Sequence, residues 1–104
     1  MRSPNVVEIP QRTVTSINPF TGELLREYEQ HSNQLIESKL QLASESFRKY
    51  RKLPFAERAR MMVRAAEILE KDKETFGRLM TQEMGKTLKS AIQEAEKCAF
   101  GCRF

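Results

Sequence analysis

The chain has 104 residues, 18 of them basic and 14 acidic, for a net charge of +4. That length allows one small domain, and such a chain buries only about two-thirds of the surface its unfolded form exposes. Hydrophobic residues make up 39% with no tryptophan, so the core is modest. Charges of both signs are interspersed, whereas a nucleic-acid binder gathers its basic residues on one face. No apolar run approaches the roughly 20 residues that a membrane helix needs. The opening Met1-Arg2-Ser3-Pro4-Asn5 lacks the apolar stretch of a signal peptide. Two cysteines without such a signal point to a reducing cytoplasm. Neither nucleic acid nor a membrane is expected as a partner.

In chain order, residues 1–12 hold two prolines and little pattern, and read as a loose arm. Thr13 to Ile17 is β-prone, and Leu24 to Tyr28 is a weaker strand. Between them Asn18-Pro19-Phe20-Thr21-Gly22 is rich in turn residues, with Pro19 fixing φ and Gly22 accepting a positive one. The spacing predicts a hairpin over about 13–29. A lone hairpin is marginal in water, so it must lean on something.

Ser32 or Asn33 is positioned to cap a first helix over about 33–52. Ile36, Leu40, Ala43, Phe47 and Tyr50 recur there at i, i+4, i+7, i+11 and i+14. Arg48, Lys49, Arg51 and Lys52 gather at its end, where positive charge suits the helix dipole. Pro54 stops this helix and opens the next, because the residue before a proline avoids the helical region. The second helix, about 55–71, carries Ala59, Met62, Val63, Ala66 and Leu69 on one face. Asp72 is positioned to cap a third, about 73–84, with Phe76, Leu79, Met80 and Met84 inward. Gly85 closes it in a left-handed conformation. Thr87 then caps a fourth helix over about 87–103 through its hydroxyl. Leu88, Ala91, Ile92, Ala95, Ala99 and Cys102 form one apolar stripe on that helix. Gln93, Lys97, Phe100 and Phe104 fall together on roughly the opposite side. A surface helix does not need two phenylalanines there, so this second face calls for a partner. No internal repeat or low-complexity segment is visible.

Few residues carry chemistry. His31 is the only histidine and reads as a solvated loop residue. Cys98 and Cys102 lie four apart, and a zinc site would need two more ligands where His31 alone remains. They read as buried, inert thiols. Gly85-Lys86-Thr87 mimics the end of a phosphate loop, but Met80 stands where the pattern demands glycine. The Gly-x-Gly-x-x-Gly nucleotide fingerprint is absent. The cluster Arg48 to Lys52 reads as a capped, solvated helix end. Glu94 and Glu96 are two apart and so point about 200° away from each other on a helix, which rules out a shared acid–base site. With Glu83 they read as surface charge.

A family becomes visible in several of these strings. Glu83-Met84-Gly85-Lys86, then Ala91, Glu94 and Glu96, then Lys97-Cys98-Ala99 and an aromatic end, resembles the amino-terminal region of NAD(P)-dependent aldehyde dehydrogenases. The succinate-semialdehyde dehydrogenase group is the nearest in resemblance. Asn18-Pro19-Phe20-Thr21-Gly22-Glu23 resembles the way such enzymes open. Phe47-Arg48-Lys49-Tyr50-Arg51 resembles the Phe-x-x-Trp-Arg string ending the family's first helix, with Tyr50 in place of tryptophan. Glu57-Arg58-Ala59 resembles the start of its second helix. The resemblance runs from about Ile17 to Phe104 and covers only the family's opening segment.

The expected fold is therefore mainly α, a short hairpin followed by four amphipathic helices. By resemblance, residues 13–104 are an incomplete part of an α/β aldehyde dehydrogenase fold, the start of its cofactor-binding domain. The resemblance implies oxidation of an aldehyde to an acid with NAD or NADP as hydride acceptor, and an enzyme that assembles as a homo-oligomer. It also implies that the catalytic cysteine, its base and the nucleotide-binding motifs lie downstream, since neither Cys98 nor Cys102 matches the family's nucleophile. No catalytic, cofactor-binding or metal-ligating residue is assigned to this chain. The expected role is scaffold, inactive alone and without a bound cofactor. In the family the matching fourth helix borders the substrate tunnel, which makes Gln93, Lys97, Phe100 and Phe104 its wall. The partner of helix 87–103 is then the remainder of such a chain, or another subunit. Two other classes stay open on the residues alone: a free-standing helical interaction module, and a small basic nucleic-acid-binding protein.

Overall fold

The computed structural model describes residues 12–104, so the expected arm over 1–12 lies, but for Arg12, outside the described residues. Two strands, β1 (Thr13–Ile17) and β2 (Leu24–Glu29), are followed by α1 (Asn33–Tyr50), α2 (Phe55–Lys71), α3 (Lys73–Met84) and α4 (Leu88–Arg103). This is the hairpin and four helices that turn chemistry and periodicity predict.

The hairpin is antiparallel, with Val14 opposite Tyr28 and Ser16 opposite Arg26, and its register shifts between Ser16 and Ile17. Asn18 builds the turn. Its side-chain oxygen accepts from the Phe20 and Thr21 amides at 2.9 and 3.3 Å, and its carbonyl accepts from Gly22 N at 2.8 Å. Gly22 takes φ +76°, which a side chain would strain. The hairpin leans on the end of α3, where the Ser16 hydroxyl donates to Glu83 Oε1 at 2.9 Å. A groove of about 520 Å³ opens between them, with Val14, Tyr28, Glu83 and Met84 in its walls.

Of the caps, Ser32 behaves as expected and accepts from Leu35 N at 3.2 Å. Gly85 closes α3 at φ +71°. Asp72 and Thr87 do not cap with their side chains. Asp72 has φ −103° and ψ 16°, close enough to helical that α2 and α3 meet at a bend, whereas a capping side chain needs an extended backbone. Thr87 is extended and starts α4 through its carbonyl, which accepts from Ala91 N at 2.9 Å, while its hydroxyl is not used for capping. The first helix ends at Tyr50 rather than at about 52. Lys52 and Leu53 wind on through tighter i→i−3 bonds to Lys49 and Tyr50 before Pro54. Arg58 holds that corner. Its guanidinium lies over Phe55 at 4.6 Å and Tyr50 at 5.7 Å, and its Nε donates to Leu53 O at 3.2 Å.

The packed centre is small. α4 lies against both α2 and α3, and α1 packs substantially against no other described element. The buried hydrophobic residues are Ala66, Ala91, Ala95 and Ala99, and no large side chain among the described residues is fully buried. The stripe on α4 is placed as its spacing predicts, with Leu88, Ile92 and Cys102 half-buried at its margins. Elsewhere the expected apolar faces are uncovered. Ile36, Leu40, Phe47 and Tyr50 on α1 are exposed, as are Met62 and Val63 on α2. Leu79 and Met84, expected inward on α3, are also exposed. The buried residue of α3 is Gly77, which lies directly under Ile92. A Cβ there would come within 2.7 Å of Ile92 Cγ1 and 3.1 Å of Ile92 N.

The molecule spans 55 × 47 × 14 Å. It is far thinner than it is wide, and its apolar faces stay largely uncovered.

Candidate functional site

The fourth helix presents two unlike faces because small residues and large ones alternate along it at helical spacing. Ala91, Ala95 and Ala99 turn inward, and their single methyls let α4 approach α2 and α3 closely. Gln93, Lys97, Phe100 and Phe104 recur at i, i+4, i+7 and i+11 and occupy the other side over three turns. All four are exposed, Phe100 at 71% and Phe104 fully. Lys97 forms no ion pair among the described residues. The structure thus brings the four expected site residues onto one open face. It does not enclose them: the hairpin groove and the shallow hollows beside Arg78 lie on other parts of the surface.

Ion pairs flank this face. Arg103 holds Glu70 with two bonds, Nε to Oε1 at 3.0 Å and Nη2 to Oε2 at 2.9 Å. Lys73 Nζ meets Glu96 Oε1 at 2.8 Å, and Lys86 Nζ meets Glu94 Oε2 at 2.7 Å. The Arg103 hydrogen bond, with the nearby charges of Arg103 and Lys73, holds the Glu70 carboxyl below the usual glutamate range. Hydrogen bonding to Glu96 raises Lys73, and hydrogen bonding to Glu70 raises Arg103. Glu94 and Glu96 therefore serve different cations, and no paired carboxylates arise. Sequence reasoning missed Glu70 and Arg103 as a pair. They are 33 residues apart, and no local spacing signals them.

The remaining sequence-level candidates hold no chemistry together. His31 is exposed in the loop before α1. Cys102 is half-buried, but Cys98 is exposed, which corrects the expectation of two buried thiols. One turn of helix separates them, with Cys102 on the stripe and Cys98 at its margin. Among the described residues no three potential ligands gather for a metal ion, and no helix is long and apolar enough to cross a membrane. A dinucleotide requires a parallel sheet with a glycine-rich turn into a helix. The sheet described here is a two-stranded antiparallel hairpin.

A hairpin followed by four helices with open apolar faces is consistent with part of a larger domain. The comparison with known families says which. Residues 7–104 match the model of the aldehyde dehydrogenase family, and the chain belongs to that family. It is 44% identical over 91 residues to a probable succinate-semialdehyde dehydrogenase [NADP(+)] of Synechocystis sp., covering 88% of this chain and 20% of the relative. An aldehyde dehydrogenase of Paenarthrobacter nicotinovorans is 40% identical over 90 residues, 86% of this chain and 20% of its own. The succinate-semialdehyde dehydrogenase [NADP(+)] of Mycobacterium leprae is 38% identical over 92 residues, with 88% and 20% covered. The chain thus spans about one fifth of the length of these relatives, in their amino-terminal region. The family uses NAD or NADP and is generally oligomeric.

Proposed function

We propose that residues 13–104 are the opening scaffold of the cofactor-binding domain in a cytoplasmic NAD(P)-dependent aldehyde dehydrogenase acting on succinate semialdehyde. The scaffold is inactive and binds no cofactor by itself, and α4 meets the rest of such an enzyme, or another subunit, through its open face. The likeness to a probable succinate-semialdehyde dehydrogenase supports the substrate class. The uncovered faces of α1 and α4 support a scaffold that others complete.

One observation carries the functional reading: an amide, a cation and two aromatic rings share the exposed side of α4. Such a mixture suits the wall of a pocket with a few polar groups better than a dry core. Succinate semialdehyde carries a carboxylate remote from its aldehyde, and Lys97 attracts it as a point charge. Phe100 and Phe104 border the chain between the two ends. The test replaces Lys97 with Met in a full-length enzyme carrying this segment. The expected outcome is a several-fold rise in KM for succinate semialdehyde, with little change for an uncharged aldehyde of similar length. Equal effects on both substrates, or none on either, remove Lys97 from the site.

A further inference from the structure

The alanine stripe raises a mechanical question. Methyl groups let helices approach closely but interlock poorly, so they resist rotation about the helix axis weakly. At its N-terminal half α4 has a steric key, because Ile92 sits over the space left by Gly77. At its C-terminal half the inward residues are the small Ala95, Ala99 and Cys102. That half carries Lys97, Phe100 and Phe104.

Ion pairs flank that half. Glu96 and Arg103 are seven residues apart, two turns, and so lie on the same flank between the stripe and the open face. Arg103 grips Glu70 near the end of α2, and Glu96 grips Lys73 at the start of α3. The two contacts straddle the α2–α3 bend. A two-bond guanidinium–carboxylate contact fixes direction as well as distance, since a planar fork meets a planar carboxylate. Both partners are about half exposed, so its contribution to overall stability is small. Its value lies in orientation.

We propose that Glu70 and Arg103 are a positioning pair, which locks the rotation of the C-terminal half of α4 and so sets where Lys97, Phe100 and Phe104 point. The lock is a property of this chain; its effect on substrate rests on the wall reading above. Lys73 and Glu96 support the pair from the adjoining helix.

Cys102 reports on the lock directly, because it is half-buried on the inward side of the same segment. The experiment uses the 104-residue chain in a Cys98→Ser background, so that Cys102 is the single thiol. Its labelling by an aromatic disulfide is followed above the thiol pKa, where proton loss no longer limits the rate. Glu70→Gln is expected to speed labelling several-fold, and the exchange Glu70→Arg with Arg103→Glu is expected to restore protection. In a Cys102→Ser background, Cys98 should label at the same rate with either residue at 70. Unchanged Cys102 labelling in Glu70→Gln, or no recovery in the exchanged pair, overturns the lock. A second arm measures KM for succinate semialdehyde in a full-length enzyme carrying the segment. Faster labelling with an unmoved KM leaves the lock standing and removes the wall reading. Faster labelling with a raised KM, recovered in the exchanged pair, supports both.

Discussion

Gly77 does what no other residue at its position would do. Its missing side chain lets the α4 backbone pass close, and Ile92 fills the gap. Alanine would favour the helix by about 1 kcal/mol. Its methyl would also meet Ile92 Cγ1 at 2.7 Å and the Ile92 amide at 3.1 Å, forcing the helices apart. Overpacking of this kind costs about 1–3 kcal/mol, so Gly77→Ala is expected to destabilise despite the propensity gain. Urea unfolding followed by circular dichroism measures it, and a midpoint at or above that of the parent contradicts the close-approach account. The Glu70 carboxyl yields a second expectation. Its pKa is lowered in the fold, by the Arg103 hydrogen bond first. A lowered carboxylate contributes fully above its unfolded pKa and loses that contribution as pH falls through the folded one. The difference in unfolding midpoint between parent and Glu70→Gln should therefore be constant from neutral pH to about 5, shrink once the pH falls below the ordinary glutamate value of about 4.3, and vanish only below the lowered value of the fold. A difference that persists unchanged well into acid denies the pairing.

The helices differ in how they are held, and this sets their dynamics. α4 carries three of the four buried alanines and lies against two neighbours. α1 has the strongest end signals of the four, a bonded Ser32 cap and basic residues in its last turn, yet no buried residue. It is tied to α2 at the corner of Arg58, where two aromatic rings and a carbonyl share one guanidinium. Helices without tertiary packing are marginal even at this length. Native-state hydrogen exchange is expected to show α1 amides exchanging fastest among the helices and α4 slowest. Protection of α1 equal to that of α4 would mean that its apolar face is covered in solution.

The whole molecule is spread out. It exposes 9494 Å², against about 6,000 Å² expected for a compact chain of 12.1 kDa. Its radius of gyration is 19.5 Å, against about 13 Å for a compact domain of 100 residues. Leu40, Leu42 and Phe47 on α1 and Phe100 and Phe104 at α4 are all left in water. Exposed apolar surface of that extent drives association. The 104-residue chain is expected to be helical but loosely packed, with broad thermal unfolding and an apparent mass that rises with concentration in sedimentation. A monomer at all concentrations with one sharp transition would sink this. The chain spans about a fifth of the length of the relatives it matches.

Much of the local structure was legible without coordinates. Asn18 and Gly22 specify a turn because their backbone options are local. The alanine stripe of α4 and the left-handed Gly85 follow from helical period and the lack of a Cβ. The open side of α4 was legible for the same reason: two phenylalanines opposite a stripe cannot both be packed by that stripe's neighbours. Other features depended on what came close in space. Glycine carries no apolar signal, so the burial of Gly77 was decided by Ile92 on another helix. The Glu70–Arg103 pair was decided by how α2 and α4 cross. Asp72 and Thr87 are good capping residues, but the bend between α2 and α3 and the entry to α4 left their side chains out of use. The spacing of Ile36, Leu40, Phe47 and Tyr50 determined that α1 has an apolar face. Only the tertiary structure decided that no other described element covers it, because period records which way a side chain points along its own helix and carries nothing about what stands opposite.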